Sequence, residues 1–417
     1  MSTEFGILTV APDFLTSEDA IQAITSDYVA ALQALGGVPW TEENLTHPTP
    51  LFLLVATGGT ESVIMKLQAK RKSHVPNEPV FLIAHPANNS LPAALEVLAR
   101  LQQDGTQGRI FYLKGPDDET GLQQIAEAAQ DLAVRRALQE ARIGLMGAPS
   151  DWLVASMPDP TTVQATWGPE VVPIALDEIT QTMERISDDE LRPTLDALQA
   201  NATEIREPSE EEMRDVVRVH AALRRLVDQY TLDALTVRCF DLVLNLQTTG
   251  CFGLAELIDE GFIAGCEGDL VSTVGLLWAY KLLDEIPWMA NPAQLDEAAN
   301  ALWLAHCTVP RRLVKSYRLR SHFESGLGVG IQGRLPTGPV TLLRIGGTEM
   351  KQLWLAEGEI VATGEAENLC RTQARVELTR GHVTDLLHAP LGNHLVLAPG
   401  HHADRLQAWW KMLIQER

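Results

Sequence analysis

The segment Gly265-Cys-Glu-Gly-Asp269 places two carboxylates next to an apolar stretch. It follows the apolar run 261–264 and precedes the strongly apolar segment 270–283, a pattern that predicts a strand, a tight turn and a buried helix. Asp269 stands where the N-cap of that helix belongs. Glu267 would then lie at the carboxyl end of a strand, where a carboxylate is costly to bury unless it is paired or binds a metal.

Histidine, a common metal ligand, is concentrated toward the end of the chain. Of the 11 histidines, seven lie from His306 onward, including His322 and His394. The sequence contains no HExxH motif, so spacing alone assigns none of them to a metal. A purely structural role stays open for each of them.

Three polar, glycine-containing loops follow predicted strands, and we expect them at the sheet edge where doubly wound proteins bind ligands. Their glycines let a ligand approach the backbone, and their hydroxyl and amide groups suit sugar hydroxyls. The alternative is that they are ordinary tight turns with helix caps. They match neither nucleotide-binding glycine motif. The candidate substrate-binding residues in these loops are Gly58, Gly59, Thr60, Glu61, Asn88, Asn89, Ser90, Asp151 and Trp152.

The first third of the chain alternates apolar runs with amphipathic segments, which predicts a parallel, doubly wound sheet. The predicted strands are 5–10, 51–56, 80–85 and 109–113, and the predicted helices include 17–35 and 91–101. The run 142–146 begins a second unit of the same kind. The proline-rich passage 157–173 has few periodic cues and is interpreted as a connection.

A capping box, Ser209-Glu-Glu-Glu212, predicts the start of a long amphipathic helix. After about residue 310 the hydrophobic period changes from helical to alternating, which predicts an antiparallel β domain, a small barrel or sandwich. Its predicted strands are 340–344, 353–356 and 374–378, with turns at 336–339 and 357–358 and a closing helix at 403–415. We therefore predict three domains, 1–142, 143–305 and 306–417.

Composition limits the possible partners. The 417 residues carry a net charge of −22 and no segregated basic patch, which disfavours nucleic acid and membrane surfaces. No signal peptide or apolar run of membrane-spanning length is visible. The 5 cysteines are widely spaced without a CxxC motif, so we expect free thiols in a reducing cytoplasm.

Several motifs occur in a characteristic order: CEGD at 266–269, WMAN at 288–291, LAHC at 304–307 and LGNH at 391–394. In this order they resemble the L-fucose isomerase / L-arabinose isomerase superfamily. The segments GGTE at 58–61, HPANNSLP at 85–92, GAPSDWLVAS at 147–156 and CRTQ at 370–373 resemble its fucose-isomerase-like branch. The resemblance extends from about residue 5 to about residue 410.

This resemblance implies an α/β protein with two Rossmann-like doubly wound parallel-sheet domains followed by a C-terminal antiparallel β domain. It implies a homo-oligomer, a trimer or hexamer, that interconverts aldoses and ketoses with a divalent metal, usually Mn²⁺. Glu267, His306 and His394 match ligand positions of the family. The position of a second carboxylate, 24 residues after Glu267, is occupied by Asn291, which can coordinate a metal but cannot act as a base.

Ketol isomerisation explains these residue types. A metal holds two neighbouring substrate oxygens and stabilises the enediolate, while a carboxylate moves a proton between adjacent carbons. We expect Glu267 and Asp269 to be catalytic, although Glu324 could equally replace the missing carboxylate. Arg371 and Gln373 of the CRTQ segment are further candidates for substrate binding, and Arg371 or Arg344 could contact an anionic substituent.

Two other functions remain open at this point. The loss of a carboxylate at Asn291 is compatible with a non-catalytic sugar-binding or regulatory protein on the same scaffold. A metal-assisted lyase or aldol-type reaction would share the first half of the isomerase chemistry. The identity of the sugar is beyond what the sequence indicates.

Overall fold

The computed structural model describes residues 3–12 and 17–414. The chain forms two units, one made of Met1–Arg136 with Trp409–Arg417 and the other of Ala137–Ala408. No helix in the described part of the chain is both long and apolar enough to cross a membrane.

The N-terminal elements build a five-stranded parallel sheet. They are β1 (Phe5–Val10), α1 (Glu18–Ala34), β2 (Gly37–Pro39), a 3-10 helix (Glu42–Thr46), β3 (Leu51–Val55), α2 (Glu61–His74), β4 (Val80–Ala84), α3 (Ser90–Gln103), β5 (Gly108–Tyr112) and α4 (Glu119–Gln139). The strand order is β2-β1-β3-β4-β5, and every pair is parallel. Strands β3 and β4 are apolar and buried throughout, as expected for a parallel sheet covered on both faces.

A second parallel sheet follows. Its region contains β6 (Arg142–Met146), α5 (Pro160–Trp167), β7 (Glu170–Ile174), α6 (Asp177–Met183), α7 (Asp188–Asn201), β8 (Glu204–Ile205), α8 (Glu210–Tyr230), β9 (Ala234–Val237), α9 (Cys239–Leu246), α10 (Cys251–Asp259), β10 (Ile263–Cys266) and α11 (Leu270–Leu283). The order β10-β9-β6-β7 is parallel throughout. The predicted capping box of α8 is confirmed.

The remaining elements form a closed antiparallel barrel and a small sheet. They are β11 (Trp288–Asp296), β12 (Ala301–His306), a 3-10 helix (Arg311–Leu313), β13 (Ser316–Arg320), β14 (Gly330–Arg334), β15 (Gly338–Gly346), β16 (Gln352–Thr363), β17 (Thr372–Arg380), α12 (Asp385–His388), β18 (Leu395–Pro399) and α13 (Ala403–Leu413). The barrel order is β11-β12-β17-β16-β15-β18, while β14, β13 and β8 form a three-stranded sheet.

The predicted α/β class, with parallel sheets followed by an antiparallel β domain, is confirmed. The predicted strands in the first third match β1, β3, β4 and β5 to within a residue at each end. The closing helix is α13, although residue 415 of the predicted span lies outside the described residues. The three-domain division stays a prediction, but the barrel begins at β11, before the boundary expected at 305/306.

Two local predictions are wrong. The passage 157–173 is not merely a connection, because it contains α5 and the start of β7. Asp159 caps α5 and Pro160 occupies its first turn, but eight residues are too few to show helical periodicity. The turn expected at Glu357-Gly358 lies inside β16, where Gly358 accommodates the close approach of the Glu377 carbonyl at an irregularity in the strand register.

Candidate metal centre

Three residues that are distant in sequence meet in the second unit. Glu267 follows β10, His306 ends β12 and His394 immediately precedes β18. Each offers one ligand atom, and these three atoms all lie within 4.8 Å of one another. One carboxylate and two imidazoles form a donor set that suits a divalent transition metal. The structure therefore brings together three of the four predicted metal ligands, and this cluster could hold a metal ion.

The turn after β10 fixes the backbone of Glu267. Glu267 has a φ of 63° and Gly268 a φ of 71°, so both adopt the left-handed conformation. A Cβ atom on Gly268 would lie 2.7 Å from the carbonyl oxygen of Ala148, which explains the glycine. The Glu267 carbonyl accepts a hydrogen bond from the Ser150 amide at 2.8 Å. A non-glycine residue held in this conformation is characteristic of functional sites.

The two oxygens of Glu267 have different partners. Oε2 accepts a 2.6 Å hydrogen bond from Trp152 Nε1, and Oε1 lies 3.6 Å from His394 Nε2. Only 12% of the side chain is exposed. Burial alone would raise the pKa of Glu267, but His394 and Trp152 together lower it. The group is therefore an anion with one oxygen, Oε1, directed at the histidine.

Asp269 orients His394 by contacting its Nδ1 atom. The imidazole is fully buried, and its Nδ1 lies 3.0 Å from Asp269 Oδ2. This contact leaves Nε2 as the nitrogen that can bind a metal. Burial alone would lower the pKa of His394, but Asp269 and Glu267 raise it to about 9. A proton therefore occupies the ligand position, and a cation would have to displace it.

Asp269 is buried and fully engaged. It caps α11, as predicted, by accepting the Ser272 amide at 2.8 Å and the Ser272 hydroxyl at 2.7 Å. Its Oδ2 also lies 3.2 Å from Arg344 Nη1. Burial alone would raise the pKa of Asp269, but Arg344 and His394 hold it well below its usual range. The carboxylate is thus ionised at neutral pH and lies on the Nδ1 side of the His394 imidazole.

Arg344 is an interior residue of β15, only 2% exposed. Besides Asp269 it donates to Ser272, to Ser156 Oγ at 2.5 Å and to the Leu391 carbonyl at 3.3 Å. These contacts give Arg344 a structural role, and its contact with a substrate anion stays a prediction. Its charge balances that of Asp269 inside the protein.

His306 is the neutral member of the cluster. Its ring is buried and stands 5.6 Å from the His394 ring, at 70° to it. Its Nδ1 lies 2.8 Å from the hydroxyl of Thr308, which leaves Nε2 for a metal. Burial and the positive charge of His394 lower the pKa of His306 to about 3. The lone pair needed for coordination is therefore available at neutral pH.

Asn291 lies beside the cluster. Its side-chain oxygen accepts a 3.5 Å hydrogen bond from the amide of Asn393, and that amide is 3.5 Å from His394 Nε2. Asn393 was not singled out in the sequence, although it belongs to the LGNH segment. Metal coordination by Asn291 stays a prediction.

Aromatic rings border the cluster. Trp152 is 50% exposed, and its ring packs edge-on against Phe240, with centroids 5.0 Å apart. Phe240 in turn packs edge-on against His322 at 5.7 Å. Next to Trp152, Asp151 pairs with Arg238 at 3.0 Å. Phe240 is a residue that sequence reasoning missed, because an aromatic residue at the start of a helix carries no functional signal.

Two other predicted substrate residues make internal contacts. Arg371 donates to the Ser321 carbonyl at 2.8 Å and to Glu367 at 3.2 Å. Gln373 is buried, and its amide bonds both backbone groups of Ala366. These contacts give both residues a structural role, and their contact with substrate stays a prediction.

The two N-terminal loops follow neighbouring strands, β3 and β4, as predicted. The third loop follows β6, which belongs to a different sheet, so the expectation that all three loops share one sheet edge is wrong. Within the first unit, Gly58 donates to the Asn88 carbonyl at 2.7 Å. The hydroxyls of Thr60 and Ser90 are bonded to backbone carbonyls. The remaining predicted residues of these loops are Gly59, Glu61 and Asn89, and their role in binding stays a prediction.

Trp152→Phe should weaken Mn²⁺ binding while leaving the fold intact. The variant keeps a ring against Phe240 but removes the N–H that holds Glu267 Oε2. Loss of this partly exposed hydrogen bond should cost about 1 kcal/mol, or about fivefold in affinity. Calorimetric titration with Mn²⁺ measures the change, and an unaltered dissociation constant would refute this role of the indole.

The comparisons with known proteins add no assignment. No protein-family model matches the chain, and a search of curated proteins found no match.

Proposed function

We propose that the protein is a metal-dependent aldose–ketose isomerase that acts on a sugar or sugar derivative. The observation that carries the proposal is the convergence of Glu267, His306 and His394, whose ligand atoms lie within 4.8 Å of one another. The strand order β2-β1-β3-β4-β5 supports a Rossmann-like, doubly wound first domain. We further propose membership of the L-fucose isomerase / L-arabinose isomerase superfamily and a homo-oligomeric assembly.

The three side chains would hold the cation and leave other coordination positions open to substrate. When bound, Mn²⁺ would act as a Lewis acid toward two neighbouring oxygens of the sugar. Glu267 contributes Oε1, because Trp152 engages Oε2. Asp269 holds His394 through Nδ1, which would leave Nε2 free to bind the cation.

Two carboxylates, Asp269 and Glu324, are candidates for the base that transfers the proton. Asp269 is fully buried, and its Oδ2 contacts the side of the imidazole that faces away from Glu267. The Glu324 residue is exposed, but its carboxyl group is partly desolvated, and this desolvation together with the charge of Glu267 raises its pKa. A raised pKa makes a carboxylate a better acceptor of a carbon-bound proton. We therefore propose that Glu324 moves the proton and that Asp269 is a positioning residue.

Glu324→Gln should lower kcat by about 10²- to 10⁴-fold, the usual contribution of a general base. Mn²⁺ affinity should stay unchanged, because Glu324 is outside the ligand cluster. Steady-state kinetics and calorimetry on the same preparation separate the two effects. A variant with unchanged kcat would exclude Glu324 as the base.

The proposal is tested by incubating the Mn²⁺-loaded protein with a panel of aldoses in D₂O. We expect one aldose to yield its ketose with solvent deuterium on the carbon next to the new carbonyl group. The Glu267→Gln variant should yield no ketose. Solvent exchange without ketose would favour the lyase or aldol-type reaction instead. Saturable sugar binding with neither solvent exchange nor ketose formation would favour the non-catalytic sugar-binding function. The observation that motivates this alternative is Asn291, which stands where the family has an acid.

A further inference from the structure

Four of the five widely spaced cysteines meet in two pairs beside the candidate metal centre. Cys239 Sγ lies 3.1 Å from Cys266 Sγ, and Cys307 contacts Cys370. Cys266 directly precedes Glu267, and Cys307 directly follows His306. One thiol of each pair is therefore covalently next to a candidate metal ligand.

The first pair is held together by the second parallel sheet. Cys266 is the last residue of β10 and stands opposite Val237 of the neighbouring strand β9. Cys239 follows β9 after one residue and begins α9. The two residues are 6% and 4% exposed. Because disulfide sulfurs are about 2.05 Å apart, a closure of roughly 1 Å would join these thiols.

We propose that Cys239 and Cys266 are a site of reversible oxidation by peroxide, and that the resulting disulfide weakens metal binding at Glu267. One thiol is first oxidised to a sulfenic acid as the peroxide O–O bond breaks and one water leaves. The second sulfur then attacks the first, the S–S bond forms and a second water leaves. Two thiols thus lose two electrons to one hydrogen peroxide. The second half of the proposal rests on the metal centre, but neither half rests on the isomerase reaction.

Both cysteines are connected to Glu267. Cys266 is joined to Glu267 by a peptide bond. Cys239 precedes Phe240, whose ring packs against Trp152, and Trp152 donates to Glu267 Oε2. Because ligand distances must be met to within about 0.2 Å, drawing the two sulfurs together displaces the carboxylate from the position a cation requires.

The test uses reduced full-length protein treated with hydrogen peroxide, alkylated, and cut after Asp and Glu. Cleavage places Cys239 in peptide 234–241 and Cys266 in peptide 261–267, while Cys251 falls in 242–256. We expect peptides 234–241 and 261–267 to be linked, and the link to be lost with dithiothreitol. Calorimetry should show about tenfold weaker Mn²⁺ binding after oxidation, reversed by reduction.

Matched variants identify the pair responsible. Cys239→Ser should form no link and keep its Mn²⁺ affinity after peroxide, whereas Cys370→Ser should behave like the wild type. The proposal is overturned if the linked peptides do not form, or if they form and Mn²⁺ affinity is unchanged. If the reduced protein binds no Mn²⁺, the metal centre and the second half of the proposal are both wrong, and the linked peptides alone decide the first half.

Discussion

Glu267→Gln is expected to abolish Mn²⁺ binding and isomerase activity while leaving the protein folded. The amide has the shape of the carboxylate and can still accept the Trp152 hydrogen bond, so the left-handed turn should persist. It lacks the negative charge that a divalent cation needs beside two histidines. Removing an outer-shell partner of a ligand costs 10- to 100-fold, so loss of a ligand should exceed about 100-fold in affinity.

Calorimetric titration with Mn²⁺ and circular dichroism measure binding and folding separately. Glu349→Gln is a matched control, because the side chain of that glutamate is exposed and pairs with Lys351 at 3.1 Å. Its variant should bind and turn over like the wild type. Undiminished Mn²⁺ affinity in Glu267→Gln would remove Glu267 from the ligand set.

Asp269→Asn is expected to have the largest effect on stability. The change leaves the buried guanidinium of Arg344 without its carboxylate, and a broken buried pair costs about 3 to 5 kcal/mol. It also removes the anion that orients His394, so Mn²⁺ affinity should fall by about 10- to 100-fold. Denaturant unfolding measures the free energy of unfolding, and calorimetry measures the Mn²⁺ dissociation constant.

The double variant Asp269→Asn, Arg344→Met separates the two roles. Removing the unpaired charge should restore part of the lost free energy of unfolding, because apolar replacement of a buried pair is often tolerated. Mn²⁺ affinity should not recover, since His394 still lacks its anion. The positioning role of Asp269 would be contradicted if the double variant recovered Mn²⁺ affinity together with stability. It would also be contradicted if Asp269→Asn alone lost no Mn²⁺ affinity.

The parts of the site that lie within one short segment can be predicted from hydrophobic pattern and helix-capping preferences. The apolar run before Glu267 placed it at a strand end, and Asp269 was recognised as a helix cap from its position before residues 270–283. Both features depend only on neighbours in the sequence. Of the candidate ligands, His306 and His394 are indicated by the family resemblance rather than by spacing.

Long-range contacts were beyond sequence reasoning. Arg344 contacts Asp269 across 75 residues of sequence, and its place on a strand does not indicate this partner. The Trp152 hydrogen bond to Glu267 spans 115 residues. The thiols of Cys239 and Cys266 also meet only because β9 and β10 are neighbours. In each case the sheet or barrel topology, which the local pattern does not specify, creates the contact.

The most direct test of the central claim is an anomalous-scattering map from crystals grown with Mn²⁺, recorded at the manganese absorption edge. We predict a single strong peak in the second unit, within about 2.3 Å of a Glu267 oxygen and of one ring nitrogen each from His306 and His394. A peak elsewhere, or no peak at saturating Mn²⁺, would contradict the account.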